Sequence, residues 1–215
     1  MGFDDPETLV QSLHDGSVKA GVRGGLSSSD TLRAMRIRFG IDAVMRAAVL
    51  ASSDGKAFIL TPVGIDEGRT KPERLALVRS TVAYFRPAGW QPIIGVLSKG
   101  RPEDADRGED ISSSLVDGAE ITRTLAEGGI TAAHYHILLE EAVRDSDLVV
   151  APNGVTGNLV FRTLYFLGSG RSFGAPVVNL PAVFVDTSRA KADFVEPVLL
   201  AAGLEALGCG RGDHA

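Results

Sequence analysis

Two short stretches of this chain hold residue types that could grip an anion and do chemistry on it. The first is Pro152, Asn153, Gly154, Val155, Thr156, Gly157, Asn158, which ends the apolar run 148–151 and leads into Leu159, Val160, Thr163, Leu164 and Leu167 at helical spacing. The pattern predicts a buried strand emptying through a glycine turn into a helix that begins near Gly157, with Thr156 as its cap. Several unpaired backbone N–H groups would then face out of the turn, and phosphate or carboxylate is the ligand they favour. The second stretch is Asp186, Thr187, Ser188, Arg189, after an extended run over 175–185 and before a helix over 193–207. Arginine's planar fork can hold phosphate in two bonds, and a serine hydroxyl can donate to a developing oxyanion. A plain helix cap beside a solvated Arg189 explains the same residues.

Other groups carry weaker chemistry. The segment RGGLSSSDT combines Gly24 and Gly25, which let a ligand approach the backbone, with the hydroxyls of Ser27 and Ser28 before a helix. The spacing of Gly21, Gly24 and Gly25 is not a dinucleotide fingerprint, and no Gly-Lys-Ser/Thr follows as a nucleotide loop requires. A capped turn fits these residues as well as a binding loop does. His134 and His136 would share a face on a strand and could ligate a metal with Glu140 or Glu141; packed or surface histidines are the simpler reading. Asp104, Asp106, Glu109 and Asp110 could suggest Mg²⁺, with a charged exposed loop as the default, and Arg33, Arg36, Arg38 and Arg46 could aid phosphate attraction, though a solvated helix face explains them adequately.

The elements that must position these residues alternate strand with helix, the signature of a mostly parallel sheet covered on both faces. Strands are predicted over 18–22, 57–62, 91–98, 130–135 and 148–151, with extended chain over 175–185. Helices are expected from Asp30 to Phe39, over 43–51, from Pro72 through Val82, and over 117–128, 137–144 and 193–207. Ligands of such sheets bind outside the carboxyl ends of the strands. The loops after Val22, Ser98, Ala151 and Val185 should therefore converge, which adds Ser98 to the candidate site residues.

Bulk properties narrow the partners. At 215 residues with 44% hydrophobic and 23% charged content, one α/β domain is expected, with room for two lobes around a cleft. A net charge of −5 lacks the basic footprint of nucleic-acid binding. The single cysteine, Cys209, excludes an internal disulfide and suits a reducing cytoplasm. No apolar run approaches the roughly 18 residues of a membrane helix, and residues 1–12 lack a signal-peptide pattern.

In motif order the chain resembles the phosphotransacetylase and phosphotransbutyrylase group, with the phosphate acyltransferases of phospholipid synthesis. That superfamily carries Asp-Gly-Phe-Thr-Gly-Asn or Pro-Asp-Leu-Asn-Thr-Gly-Asn after a strand, and here Thr156, Gly157 and Asn158 match while Asn153 replaces the usual aspartate. Its Asp-Leu-Ser-Arg-Gly element is similar to Asp186, Thr187, Ser188, Arg189, Ala190, and the strand and loop VLSKGRP resemble a superfamily counterpart. In size and in its Thr-Gly-Asn element the chain is also similar to the methanogenesis marker protein 4 group, labelled a methyltransferase-related subunit.

The resemblance implies a three-layer α/β/α fold with a mostly parallel sheet, like that of the isocitrate and isopropylmalate dehydrogenases. Superfamily enzymes of about 330 residues are longer, so the second lobe would be reduced. The implied activity moves an acyl group between phosphate and a thiol such as coenzyme A, possible substrates of a protein that needs no cofactor or metal. Arg189 would hold phosphate, Ser188 would stabilise the oxyanion, and Asp193 or Glu196 would take the thiol proton. Asn153, Gly154, Thr156, Gly157 and Asn158, with Gly24, Gly25, Ser27, Ser28 and Ser98, would bind the anion. The expected partner is a small anionic molecule, with the chain paired as a homodimer in the cytoplasm and engaging neither nucleic acid nor membrane. A non-catalytic binding or assembly protein of the same fold is the rival, supported by Asn153 and the unmatched acid. A metal-dependent dehydrogenase would need an aspartate triad, which the sequence does not offer.

Overall fold

A computed structural model of the chain describes residues 1–188 and 193–211. In chain order its elements are α1 (Pro6–His14), β1 (Ala20–Val22), α2 (Ser28–Phe39), β2 (Ala48–Ala51), β3 (Ala57–Thr61) and α3 (Lys71–Phe85). There follow β4 (Ile94–Leu97), α4 (Glu109–Glu127), β5 (Ala132–His136), α5 (Leu139–Asp145), β6 (Leu148–Val150), α6 (Gly154–Phe166), β7 (Arg171–Pro176), β8 (Val183–Asp186) and α7 (Val195–Ala206). The chain is an α/β protein whose strands pair mainly in parallel, as the alternating pattern indicates. It divides into two compact units. One comprises Met1–Arg46, Ser80–Trp90 and Phe173–Ala215, the other Ala47–Arg79 and Gln91–Ser172.

In the first unit β1 runs parallel to β8, and β8 antiparallel to β7. Leu9, Val10 and Leu13 of α1 and Ala34 and Met35 of α2 bury against Val177, Leu180 and Phe184 in one core. Helix α1 is absent from the sequence expectations although its start is written plainly. Asp5 accepts a bond from the Thr8 N–H at 2.8 Å, and Pro6 occupies the first turn, where a missing donor costs nothing. Gly40, at φ 64°, ends α2 in the left-handed conformation that glycine adopts without a Cβ clash.

In the second unit the strand order is β2, β3, β6, β4, β5, with β2 antiparallel and the rest parallel. Every residue of β4 and β6 is buried, which is why both read as unbroken apolar runs. Two expectations need correction here. Residues 48–51 form a strand, and no helix spans 43–51. Ser52, Ser53, Asp54 and Gly55 turn the chain so that Ala48–Ala51 pairs back on Ala57–Leu60, and this Asp-Gly turn outweighs the ambiguous periodicity of a short apolar run. Helix α4 begins at Glu109, eight residues before the expected start, with Glu109 and Asp110 in its first turn. In the first unit, the stretch over 175–185 is likewise not one extended run but the end of β7, a connection and β8.

Helix α6 lies against the loop that follows β3. A Cβ built on Gly154 would fall 1.6 Å from the Gly64 carbonyl oxygen, and one on Gly157 1.9 Å from that of Pro62. Both obstacles are backbone and cannot swing aside. Alanine at either glycine should lower stability by about 3 kcal/mol through overpacking. Gly203, in α7 with nothing within 4 Å of its Cβ position, is the contrasting site, where alanine should stabilise by roughly 0.5–1 kcal/mol. Urea unfolding midpoints check both, and wild-type midpoints for G154A and G157A would disprove the close approach.

Candidate functional site

In the first unit β1 and β8 end side by side. Val22 pairs with Val185, and the next residue, Arg23, is buried at 4% exposure. Its guanidinium donates through Nε to Asp186 Oδ1, through one terminal nitrogen to the Leu26 carbonyl at 2.6 Å, and through the other to the Thr187 carbonyl. Arg46 donates to the other Asp186 oxygen at 2.9 Å, so one carboxylate receives two guanidinium groups. Thr187 completes the lattice. Its N–H donates to Asp186 Oδ1 at 2.8 Å, and its hydroxyl to the Gly24 carbonyl at 3.0 Å. The loop after β1 and the loop after β8, two of the four loops expected to converge, therefore meet.

This lattice fixes the start of α2 and the approach to Ser188. Ser27 caps α2, its hydroxyl accepting from the Asp30 N–H at 3.5 Å and sharing a 3.2 Å contact with the Ser29 hydroxyl. Gly24 takes φ 60°, which permits the turn between Arg23 and the cap. Gly25 is exposed, Ser27 and Ser28 are half-buried, and Ser188, directly after Thr187, is half-buried too. Arg189 lies outside the described residues. Asp193 is exposed and accepts the Val195 N–H at 3.2 Å ahead of α7, and Glu196 sits in the first turn of that helix.

In the second unit the turn after β6 differs from the sequence expectation. Asn153, not Thr156, caps α6, and the helix starts at Gly154. The Asn153 side-chain oxygen accepts the Thr156 N–H at 2.9 Å and the Thr156 hydroxyl at 3.1 Å. The Gly154 N–H goes to the Glu67 carbonyl at 3.0 Å, and that of Gly157 to the Asn153 carbonyl at 3.0 Å. The expected array of outward N–H groups is thus largely satisfied from within. Asn158 donates its amide to the Val63 carbonyl at 3.0 Å, tying α6 to the loop after β3. The Glu67 carboxylate, 7% exposed, accepts from Gly64 N–H at 3.0 Å and from Val63 N–H at 3.4 Å. It places a carboxylate beside the helix end that was expected to attract an anion.

Ser98 closes β4 at 2% exposure, its hydroxyl donating to the Gly100 carbonyl at 3.1 Å and lying 3.1 Å from His134 Nε2. The rings of His134 and His136 stand 4.1 Å apart, and His136 Nδ1 is buried with no hydrogen-bond partner among the described residues. Among the described residues no three His, Cys, Asp or Glu side chains gather as a metal site, so Glu140 and Glu141 do not complete one with the histidines. The signal that sequence reading missed is Gly118 of α4. A Cβ there would meet His134 Nε2 at 2.4 Å, so the glycine makes room for the ring.

Burial, and then the neighbouring His136, push the His134 pKa down to about 4 from 6.5. The folded state keeps His134 neutral while an unfolded chain protonates it. The stability this represents is present above pH 6.5 and is lost as the pH falls towards 4. The urea midpoint should therefore drop between pH 7 and pH 5, and the drop should shrink in H134Q; an equal drop in both proteins would remove His134 as the cause. At α6, N153A should lose ~1 kcal/mol with its cap, whereas N153D should retain most of it. Equal stability of N153A and wild type would show that the cap is idle.

Comparison with known proteins places these features. No family model matches the chain. A branched-chain phosphotransacylase from Enterococcus faecalis superposes with a TM-score of 0.74 at 19% identity, over 93% of this chain and 78% of that one. A 4-hydroxythreonine-4-phosphate dehydrogenase from Klebsiella pneumoniae superposes with a TM-score of 0.62 at 12% identity, over 95% and 68%. At these identities the likeness is one of fold, and it agrees with the phosphotransacylase-like and dehydrogenase-like architecture expected from the motifs. No helix among the described residues is long and apolar enough to cross a membrane. In sequence, the chain is 41% identical over 205 residues to a Methanosarcina barkeri protein described as "Putative methyltransferase mtx subunit X", spanning 95% of this chain and 76% of that relative. The chain belongs to the family of these mtx subunit X proteins.

Proposed function

We propose that the chain binds the phosphoryl end of a small anionic metabolite at the loops after β1 and β8. There it moves an acyl group between phosphate and a thiol such as coenzyme A. The observation that supports this reading is the Arg23 fork, which ties Leu26, just before Ser27 and Ser28, to Asp186 and Thr187, just before Ser188. In the reaction the thiol sulfur attacks the acyl carbon and its proton passes to Asp193 or Glu196. The tetrahedral oxyanion takes a hydrogen bond from Ser188. The bond from the acyl carbon to the phosphate oxygen then breaks, and phosphate leaves on Arg189. No metal or further cofactor takes part, and the protein acts as a cytoplasmic homodimer. Its place beside methyl-transfer chemistry in methanogens rests on the name and source of the Methanosarcina relative.

A second reading, a non-catalytic anion-binding or assembly subunit of the same fold, draws support from α6. Its turn carries Asn153 and spends its N–H groups internally, while Val155, Leu159 and Leu167 stand more than half exposed. The two readings part in one assay. With acetyl or butyryl phosphate and coenzyme A, the first expects acyl-coenzyme A formation that falls by on the order of 100-fold in S188A and in R189A. Unchanged rates in both variants would overturn the assignment. Thermal stabilisation by phosphate without turnover of any acyl phosphate would favour the second reading.

A further inference from the structure

Arg23, Asp186 and Thr187 lie outside the residues that would touch substrate, yet the geometry points to them as the positioning residues of the anion site. The inference rests on the reading that phosphate binds at the loops after β1 and β8. Arg23 is 4% exposed and Asp186 6%, and an ion pair so buried is weak as a source of stability. Well-packed apolar residues of similar volume often do as well or better. What this pair supplies that apolar residues could not is direction. The fork binds a carbonyl on each loop, Leu26 from the α2 side and Thr187 from the β8 side, while its Nε holds Asp186. Thr187 repeats the link in reverse, its hydroxyl reaching the Gly24 carbonyl. The separation between the first turn of α2 and Ser188 is thus set by hydrogen bonds made through one guanidinium and one hydroxyl. Lysine would keep the charge and lose the fork. Valine at Thr187 would keep the shape and lose the hydroxyl.

The test is calorimetric titration of the full chain with inorganic phosphate. Wild type should bind. R23K and T187V should each bind about tenfold or more weakly, the loss expected when hydrogen bonds that preset a charged site are removed. R36A, which removes an exposed arginine of α2, should bind as wild type does, separating local geometry from general charge attraction. Should R23K fail to fold, T187V carries the test by itself. A lowered melting temperature with unchanged phosphate affinity in T187V would mark the lattice as structural only and overturn the positioning role, leaving the anion site standing. Failure of wild type to bind phosphate would overturn both.

Discussion

A guanidinium buried at the end of a parallel strand pair must find acceptors for its N–H groups, and that requirement organises the first unit. Arg23 has left water almost completely, and its acceptors are Asp186 and the carbonyls of Leu26 and Thr187. Satisfying it forces the chain after β1 to fold back to Leu26 and the chain after β8 to present Thr187. The Ser27 cap, the direction of α2 and the placement of Ser188 then follow from the loop geometry. Removing one partner of such a pair leaves an uncompensated buried charge, which is far more damaging than the pair is stabilising. Arg46 on the second oxygen of Asp186 restricts the carboxylate further.

The second unit solves a different problem. Helix α6 must approach the backbone after β3 closely enough that no side chain fits between them, and Gly154 and Gly157 are the residues that allow it. Asn158 and the Gly154 N–H then bond across the joint to the Val63 and Glu67 carbonyls. The Thr156-Gly157-Asn158 element is therefore, in this protein, a packing joint in at least two of its three members.

Much of this was legible in the residues, and the failures have physical causes. Strands buried on both faces, such as Ile94–Leu97 and Leu148–Val150, announce themselves because every position must be apolar. The short run around Ala48 does not, because four apolar residues satisfy either period and only the Asp-Gly turn beyond them decides. Asn153 and Thr156 are both competent caps by type. The choice fell to Asn153 because the close approach of Gly154 to Gly64 starts the helix there, a tertiary fact absent from local sequence. Arg23 was invisible as a functional candidate for the same reason, since two of its three partners, Asp186 and Thr187, lie some 160 positions away. Convergence of the loops after β1 and β8 could be anticipated from parallel topology alone.

The two helix starts that looked alike as anion sites are separated by electrostatics. At α6 the N–H groups of Gly154, Thr156 and Gly157 already have acceptors, and the buried Glu67 carboxylate lies in the loop that packs against this helix start. An incoming phosphate would have to displace internal bonds and tolerate a like charge with little water to screen it. At α2 the cap is a neutral serine and further hydroxyls lie on Ser28 and Ser29; the first-turn carboxylate, Asp30, is exposed to water and lies 3.7 Å from Arg33, and two guanidinium groups meet on the single carboxylate of Asp186 nearby. A helix dipole contributes less than about 2 kcal/mol, so the surrounding charges decide between the two ends. They favour the loops of the first unit, where Ser188 also lies, over the turn at Asn153.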